Sequence, residues 1–301
     1  MKSEFGLIEK IKKDLGRQAG VTLGIGDDTA VLPGDSKKDI LFTTDMLIED
    51  KHFRLSEATP YEIGWKALAV NVSDIAAMGG MPTQAVIAVG LPADLPENFA
   101  MELYKGIKTL ARRFKISIAG GDTNASDKVV ISIALLGEVR KNAWVPRSAA
   151  RIGDIIFVTG SLGNSYASKK HLRFIPRLEE SQFLTKNFKV HAMMDISDGL
   201  ASDIHRLTRA SGVGAFIAED SVPMTNPGLG IQRALTDGED FELLFTMTPK
   251  EAARLTLDVR TRKLTPFHPV GKIVNSKHGI QLVNLKGVSE PLLEEGFDHF
   301  R

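Results

Sequence analysis

The sequence predicts an α/β or α+β fold, because short runs rich in β-branched residues alternate with segments of helical period. With 301 residues and 43% hydrophobic content, the chain is long enough for two hydrophobic cores. Predicted strands cover residues 40–43, 85–89, 116–119, 129–136 and 155–159. Predicted helices run from Pro60 to the glycines at 79 and 80, from Pro96 to about Phe114, and onward from Gly199.

Local signals support these helices and place a boundary between two domains. Thr59 is a cap residue, and Pro60 follows at the first helical position, where proline is well tolerated. The polar segment 146–153 precedes a new buried strand, so we expect one domain over residues 1–146 and another over 147–301. Residues 164–187 are polar and weakly periodic, and we expect irregular structure there.

Composition excludes several classes of function. Lys plus Arg is 38 and Asp plus Glu is 37, so the net charge of +1 provides no general field for nucleic acid or an anionic membrane. The chain has no cysteine, which excludes disulfides, thiolate metal sites and cysteine nucleophiles. No apolar run approaches the ~18 residues of a membrane span, and the N-terminus lacks a signal-peptide core. We expect a cytoplasmic globular protein.

The most informative feature of the sequence is the placement of its aspartates, at strand ends or beside glycines. They lie in Gly24-Ile-Gly-Asp-Asp28, Thr43-Thr-Asp45, Ser73-Asp74, Gly120-Gly-Asp122 and Asp195-Ile-Ser-Asp-Gly199. Any one of these can be an ordinary turn. However, two of them directly follow a predicted strand, where open sheets place their ligands. Asp74 lies in the last turns of a predicted helix, where the helix dipole disfavours a negative charge unless a cation is near.

Carboxylates that meet at one place repel each other unless cations neutralise them, and magnesium is the expected cation. The chain has no EF-hand loop for calcium and no His-x-x-x-His pair for zinc. Phosphoryl transfer depends mainly on positioning and charge neutralisation, which such a site provides. A phosphate acceptor is already ionised near neutral pH and needs no general base.

Conventional nucleotide-binding signatures do not occur: the chain has neither a Walker A sequence nor a protein-kinase glycine-rich loop. The segment Thr159-Gly-Ser-Leu-Gly163 is either a phosphate-binding loop or a plain strand-to-loop turn. Arg147 is either a phosphate ligand through its planar guanidinium or a solvated arginine at the domain boundary.

The ordered set of motifs along the whole chain resembles the thiamine-monophosphate kinase family. Besides the aspartate motifs, the resemblance rests on His52-Phe53, the Lys66 to Gly79 block, Gly238-Glu-Asp-Phe-Glu-Leu243 and Gly296-Phe-Asp-His-Phe300. It implies the two-domain fold of the aminoimidazole ribonucleotide synthetase superfamily, with N-terminal sheets that pair in a homodimer. The first domain is then expected to bind ATP and magnesium and to dimerise, and the second to complete the active site.

The resemblance also implies a reaction and a set of site residues. ATP is expected to phosphorylate thiamine monophosphate to thiamine diphosphate by direct in-line transfer on several Mg²⁺ ions. The expected metal ligands are Asp28, Thr43, Thr44, Asp45, Asp74, Asp122, Asp195 and Asp198. The expected ATP contacts are Tyr104, Gly121, Asp122, Arg147 and Ser197, and the expected thiamine contacts are His52, Glu239 and Phe297. Among the ligands, Asp45, Asp122 and Asp198 are the expected catalytic carboxylates.

Two departures from the family pattern lie in the C-terminal half. A helix that usually follows Gly160 is expected to be shortened to residues 164–170, and the next stretch reads His171-Leu-Arg-Phe-Ile-Pro-Arg177. Thr236 and Asp237 precede Gly238 where the family often has Ser-Gly. Two alternative functions are another ATP-dependent enzyme of the superfamily, such as aminoimidazole ribonucleotide synthetase, and a non-catalytic nucleotide-binding protein.

Overall fold

A computed structural model of the chain describes residues 4–16 and 18–297. Within these residues, strands and helices of both halves form mixed sheets covered by helices, which confirms the predicted fold class. The helices are α1 (Glu4–Leu15), α2 (Pro60–Ala77), α3 (Glu97–Phe114), α4 (Lys170–Arg173), α5 (Leu178–Asn187), α6 (Leu200–Ser211), α7 (Ile231–Thr236) and α8 (Pro249–Leu257).

The strands form one sheet in each half of the chain. They are β1 (Ala30–Pro33), β2 (Lys38–Ile48), β3 (Met81–Leu91), β4 (Ser117–Ala125), β5 (Val130–Arg140), β6 (Ile155–Thr159), β7 (Val190–Asp195), β8 (Val213–Ala218), β9 (Leu243–Met247), β10 (Phe267–Asn275), β11 (Ile280–Val283) and β12 (Ser289–Pro291). The order is β1-β2-β5-β3-β4 in the first sheet and β12-β11-β8-β10-β6-β9-β7 in the second. Each predicted strand lies within or overlaps one of these strands.

Helices α2 and α3 cover one face of the N-terminal sheet. Helix α2 begins as predicted, because Thr59 accepts a hydrogen bond from the Glu62 backbone while the Glu62 side chain bonds back to the Thr59 backbone. Most of α2 is buried, since it packs against the sheet, α3, and also α5 and β7 of the C-terminal half. The side chains on α2 can therefore reach both halves of the molecule.

The prediction of irregular structure over residues 164–187 is wrong for the second half of that segment, which contains α5. Leu178, Ser181 and Leu184 are buried at helical spacing, and the Ser181 hydroxyl donates to the Ala76 carbonyl oxygen at 2.5 Å. The helix is short and its exposed face is charged, so tertiary contacts with α2 stabilise it more than its weak periodicity indicates. The expected shortened helix over residues 164–170 is also wrong: turns occupy this stretch and lead into α4.

None of the helices among residues 4–16 and 18–297 combines the length and the apolar composition that crossing a bilayer requires.

Candidate active site

Carboxylates from three separate parts of the chain converge between the two sheets. Asp28 lies in the glycine-rich loop before β1, Asp74 near the C-terminal end of α2, and Asp195 at the end of β7. One carboxylate oxygen of each lies within 4.8 Å of the others. Asp195 belongs to the C-terminal half, so both halves of the chain contribute to this cluster.

Hydroxyl and amide groups orient these carboxylates. The Thr43 hydroxyl donates a hydrogen bond to the Asp74 carboxylate, and the Ser73 hydroxyl donates one to the Asp195 carboxylate, both at 2.5 Å. The side chain of Asn71, which is buried one turn before Asp74, accepts a hydrogen bond from the backbone N–H of Asp45 at 3.2 Å. Strand β2 and helix α2 therefore hold Thr43, Asp45 and Asp74 in a fixed relation.

Burial and mutual repulsion make this cluster costly to ionise. Burial raises the pKa of Asp45 to about 6, which a hydrogen bond with Asp74 partly opposes. The pKa values of Asp74 and Asp195 are raised well above the ordinary range, first by burial and then by neighbouring carboxylates that include Asp45 and Asp28, respectively. Burial also raises the pKa of Asp28, although Arg147 opposes this effect. Buried carboxylates with mutually raised pKa values are typical of sites that bind a cation.

The donor set fits magnesium. Oxygen atoms of aspartate and threonine are the hard ligands that Mg²⁺ prefers. One carboxylate oxygen of Asp28, Oδ2, is buried and has no hydrogen-bond partner among the described residues, so it has an unused ligand position.

Two arginines border the cluster. Arg147 pairs with Asp28, and its backbone N–H donates to Asp27 at 3.2 Å. Its side chain is only 16% exposed, so the interpretation of Arg147 as a solvated boundary arginine is wrong. Arg206 on α6 pairs with Asp198 and with Asp203, the latter at 2.8 Å.

Two adjoining cavities meet at the carboxylates. The first has a volume of about 710 Å³ and extends from the cluster towards His52, Glu239 and Phe297. The second, of about 680 Å³, extends towards α1 and is lined by the glycine-rich loop together with Lys12 and Arg209. Residues common to both are Asp27, Asp28, Thr43, Thr44, Arg147 and Arg206. Ligands in the two cavities can therefore both reach Asp27 and Asp28, whereas Asp74 and Asp195 line the first cavity.

Comparisons with known proteins agree along the whole chain. The family model for the N-terminal domain of AIR synthase related proteins matches residues 26–139, and the model for their C-terminal domain matches residues 148–283. Thiamine-monophosphate kinase of Rhodopirellula baltica is 36% identical over 93% of this chain and 92% of its own length. That of Bacillus subtilis is 33% identical over 99% of both chains.

The chain belongs to the thiamine-monophosphate kinase family. A solved structure described as AaThiL complexed with AMPPCP and TMP superimposes on it with a TM-score of 0.85 and 33% identity, covering 99% of this chain and 97% of the other. The family resemblance noted from the motifs is thereby confirmed, as is the two-domain fold that it implied.

Most of the residues expected at a thiamine-monophosphate kinase site do line the first cavity. These are Asp28, Thr43, Thr44, Asp45, His52, Asp74, Arg147, Asp195, Ser197, Asp198, Glu239 and Phe297. Phe297 is held there through its backbone N–H, which donates to the Asp198 carbonyl oxygen at 3.2 Å. The rest of the terminal motif, residues 298–300, lies outside the described residues.

Tyr104, Gly121 and Asp122 lie away from both cavities of the same chain. The register of the sheet aligns Asp122 on β4 with Ala88, Ser132 and Met46 on the successive strands. Asp122 is therefore three strand spacings, about 14 Å, from Met46 near the end of β2. Its side chain is exposed on the sheet face that α2 and α3 leave open, and the ligand role of these three residues stays a prediction.

Sequence reasoning missed several residues at the site, including Asp27, Lys66 and Arg206. Asp27 lies in the Gly24 to Asp28 motif, but only its neighbour Asp28 was selected from that motif as a candidate ligand. Arg206 follows Asp203 at the (i, i+3) spacing on α6, which was a usable signal because the same helix begins at the Asp195 to Gly199 motif. The segment Thr159 to Gly163 acts as a structural turn, since the Gly163 N–H donates to the Asp240 carboxylate at 2.9 Å.

Proposed function

We propose that this protein transfers the terminal phosphoryl group of ATP to thiamine monophosphate, which gives thiamine diphosphate and ADP. The observation that supports this most directly is the carboxylate cluster in the wall of the first cavity, because its member Asp28 also lines the second cavity and in-line transfer needs a donor and an acceptor close to one anionic centre. The family membership of the chain supports the choice of substrates.

Magnesium would be held by Asp28, Asp74 and Asp195, with Thr43, Thr44, Asp45 and Asp198 around them. When bound, the ions neutralise phosphate charge and orient the reacting oxygens. The protein's own side chains bind and orient the two substrates. In particular, Arg147 is positioned to move from its carboxylate partners to a nucleotide phosphate, since a planar guanidinium binds either anion in the same bidentate manner.

The acceptor side of the site is the region of the first cavity around His52 and Glu239. The Nδ1 atom of His52 accepts a hydrogen bond from the Ile48 backbone N–H at 2.9 Å, so a neutral ring carries its proton on Nε2. His52 can then donate to an acceptor phosphate without first taking up a proton. The Glu239 carboxylate faces the same cavity and suits the cationic ring of a thiamine compound.

No general base is needed on this side, because the attacking phosphate oxygen is already ionised. The residues therefore bind, orient and exclude water rather than transfer protons. This agrees with a site in which aspartates predominate and in which His52 Nδ1 accepts a hydrogen bond from the backbone.

We further propose that the protein acts as a homodimer in which Asp122 of the partner subunit completes each site. The open face of the N-terminal sheet carries exposed apolar side chains, among them Phe42 at 43%, Met46 at 53% and Val86 at 47% exposure. Apolar side chains this exposed on one sheet favour coverage by a second copy. Asp122 is on that face together with the expected ligand Thr44, so a facing sheet can bring the partner's Asp122 to the edge of the site where Thr44 lies.

The reaction is tested by incubating purified protein with ATP, Mg²⁺ and thiamine monophosphate and separating the products by chromatography. Thiamine diphosphate that disappears when magnesium is chelated supports the proposal. Activity with formylglycinamidine ribonucleotide instead would favour the aminoimidazole ribonucleotide synthetase alternative. Binding of ATP with no turnover of either acceptor would favour a non-catalytic role.

The shared site is tested by mixing two inactive variants, Asp45→Asn and Asp122→Asn, after dissociation and reassociation. If the partner's Asp122 completes the site, each mixed dimer has one intact site, and random mixing restores about a quarter of the wild-type activity. If Asp122 acts within its own chain, mixing restores nothing. Each variant mixed with itself is the control.

A further inference from the structure

We propose that Lys66 is the positioning residue that assembles the acceptor side of the site by holding the His52 loop and Glu239 together. This inference rests on the proposed function for its substrate, but its geometric basis is independent. Lys66 is on the buried face of α2, and its side chain is fully excluded from solvent. Its ammonium group donates to the His52 carbonyl oxygen at 2.7 Å and to Glu239 Oε1 at 2.6 Å.

These two partners come from different halves of the molecule. His52 follows strand β2 of the N-terminal sheet, and Glu239 lies between α7 and β9 of the C-terminal half. A buried ammonium group is costly unless it is paired and hydrogen-bonded, and here both of the named partners are site residues. Burial lowers the pKa of Lys66, while the charge of Glu239 opposes this effect and favours the charged form.

The loop that carries Glu239 has a conformation that needs such an anchor. Glu239 and Phe241 have positive φ values of 54° and 49°, which are unusual for residues other than glycine. The Glu239 backbone N–H donates to the Ser197 carbonyl oxygen at 2.6 Å, and the Glu239 carbonyl oxygen accepts from the Ser165 hydroxyl at 2.6 Å. Lys66 adds the side-chain contact, so the backbone and carboxylate of Glu239 are all fixed.

His52 is fixed in a parallel manner. Its ring accepts from the Ile48 N–H, and its carbonyl oxygen accepts from Lys66. Removing the ammonium group would leave the two acceptor-side residues attached to their own halves but no longer to each other. The nucleotide side depends on other residues, such as Arg147, which Lys66 does not contact.

The test compares Lys66→Met with Lys66→Arg and with the double variant Lys66→Met/Glu239→Gln. In Lys66→Met, KM for thiamine monophosphate should rise on the order of 10-fold or more, because positioning is lost. KM for ATP should stay within about 2-fold, since positioning of the nucleotide does not depend on Lys66. Arginine, which keeps the charge and the donors, should restore part of the affinity for thiamine monophosphate.

The double variant guards against misfolding, because it leaves no unpaired buried charge. It should fold at least as well as Lys66→Met, and it is compared for stability alone, because Glu239 itself faces the proposed acceptor. Lys141→Met is the matched control, since Lys141 pairs with the buried carboxylate of Asp39 at 2.7 Å far from the cavities. It should lower stability and leave both KM values unchanged. If both KM values rise together in Lys66→Met, or if neither changes, the positioning role is refuted.

Hydrogen exchange of the substrate-free protein separates this proposal from the proposed reaction. In Lys66→Met, peptides covering residues 48–53 and 237–241 should lose protection, while those from the middle of α2 should keep it. Unchanged protection of both loops would overturn the proposal whatever the substrate is. If the wild type makes no thiamine diphosphate, the proposed function fails, and the exchange result still decides the role of Lys66.

Discussion

At the scale of single residues, Asp45 links the charge of the site to its stability. Replacing it with asparagine keeps the shape of the side chain but removes the charge of a proposed magnesium ligand. We expect Asp45→Asn to lower turnover by about 100-fold or more. Because burial raises the pKa of Asp45 to about 6, ionising it costs stability at neutral pH, and the metal-free variant should unfold at a higher temperature than the wild type.

The measurements are turnover and thermal unfolding in a chelator at pH 7.5. Asp39→Asn is the matched control on the same strand, because its buried carboxylate pairs with Lys141 outside the cavities. It should destabilise the protein without changing its magnesium dependence. Near-normal turnover of Asp45→Asn would remove Asp45 from the site.

A second prediction concerns Arg147, whose side chain pairs with Asp28. A charged hydrogen bond contributes about 1.5–3 kcal/mol, so Arg147→Ala should raise the apparent KM for ATP by about 10-fold or more. The KM for thiamine monophosphate should change much less. Initial rates with each substrate varied in turn check this, and an unchanged dependence on ATP would exclude Arg147 as a nucleotide ligand.

At this scale the sequence was informative where chemistry restricts the choice of residue. Asp28, Asp74 and Asp195 could be selected because carboxylates beside glycines or at the end of an element are unusual in number here. Lys66 could not be selected, since a lysine within an apolar helix gives no sign of its burial or its partners. Its role depends on a residue 173 positions later, Glu239, and only the folded chain brings the two together.

At the scale of elements, α2 and α3 pack unusually closely through two glycines. A Cβ atom on Gly64 would lie 1.9 Å from the Leu103 carbonyl oxygen, and one on Gly106 would lie 2.0 Å from that of Tyr61. Gly64→Ala should therefore force the helices apart and reduce the free energy of unfolding by about 1–3 kcal/mol. Because α2 carries Asp74, activity should fall as well.

Chemical denaturation and activity assays of Gly64→Ala check this expectation. Lys108→Ala, on the exposed side of α3, is the control and should stay within about 0.5 kcal/mol of the wild type. Equal stability of Gly64→Ala and wild type would contradict the close approach of the two helices.

The sequence predicted α2 well and α5 poorly, for a physical reason. Helix α2 has a cap residue, a proline at its first position and a long apolar run, which are local signals. Helix α5 has ten residues and no side-chain cap, and it is stabilised by contacts such as that of Ser181 with Ala76. Contacts with residues distant in sequence produce no clear hydrophobic period in a segment this short.

At the scale of the whole molecule, protonation and magnesium binding should compete. Burial is the main cause that raises the pKa of the proposed ligand Asp45 to about 6, and the pKa values of Asp27 and Asp203, which lie beside the proposed ligands Asp28 and Asp198, to about 7, from 3.8 in an unfolded chain. Between about pH 4 and pH 7 the unfolded chain loses protons that the folded metal-free protein retains. The free energy of unfolding should therefore fall as pH rises through this range when no metal is present.

Magnesium binds the deprotonated carboxylates, so its stabilising effect should grow over the same range. Thermal unfolding at pH 5.5 and pH 8, each with and without Mg²⁺, measures both effects. We expect the magnesium-induced rise in Tm to be larger at pH 8. An equal or larger rise at pH 5.5 would contradict the raised pKa values of the cluster.

The division of the cluster between the two halves of the chain has one more consequence. Asp28 and Asp74 belong to the N-terminal half, whereas Asp195 belongs to the C-terminal half. An ion bound by all three carboxylates would link the two domains directly. The ion would add to the protein contacts that already join the halves at the site, such as Ser73 with Asp195 and Lys66 with Glu239. The supply of magnesium would then set not only the rate of the reaction but also how firmly the two halves are held together at the site.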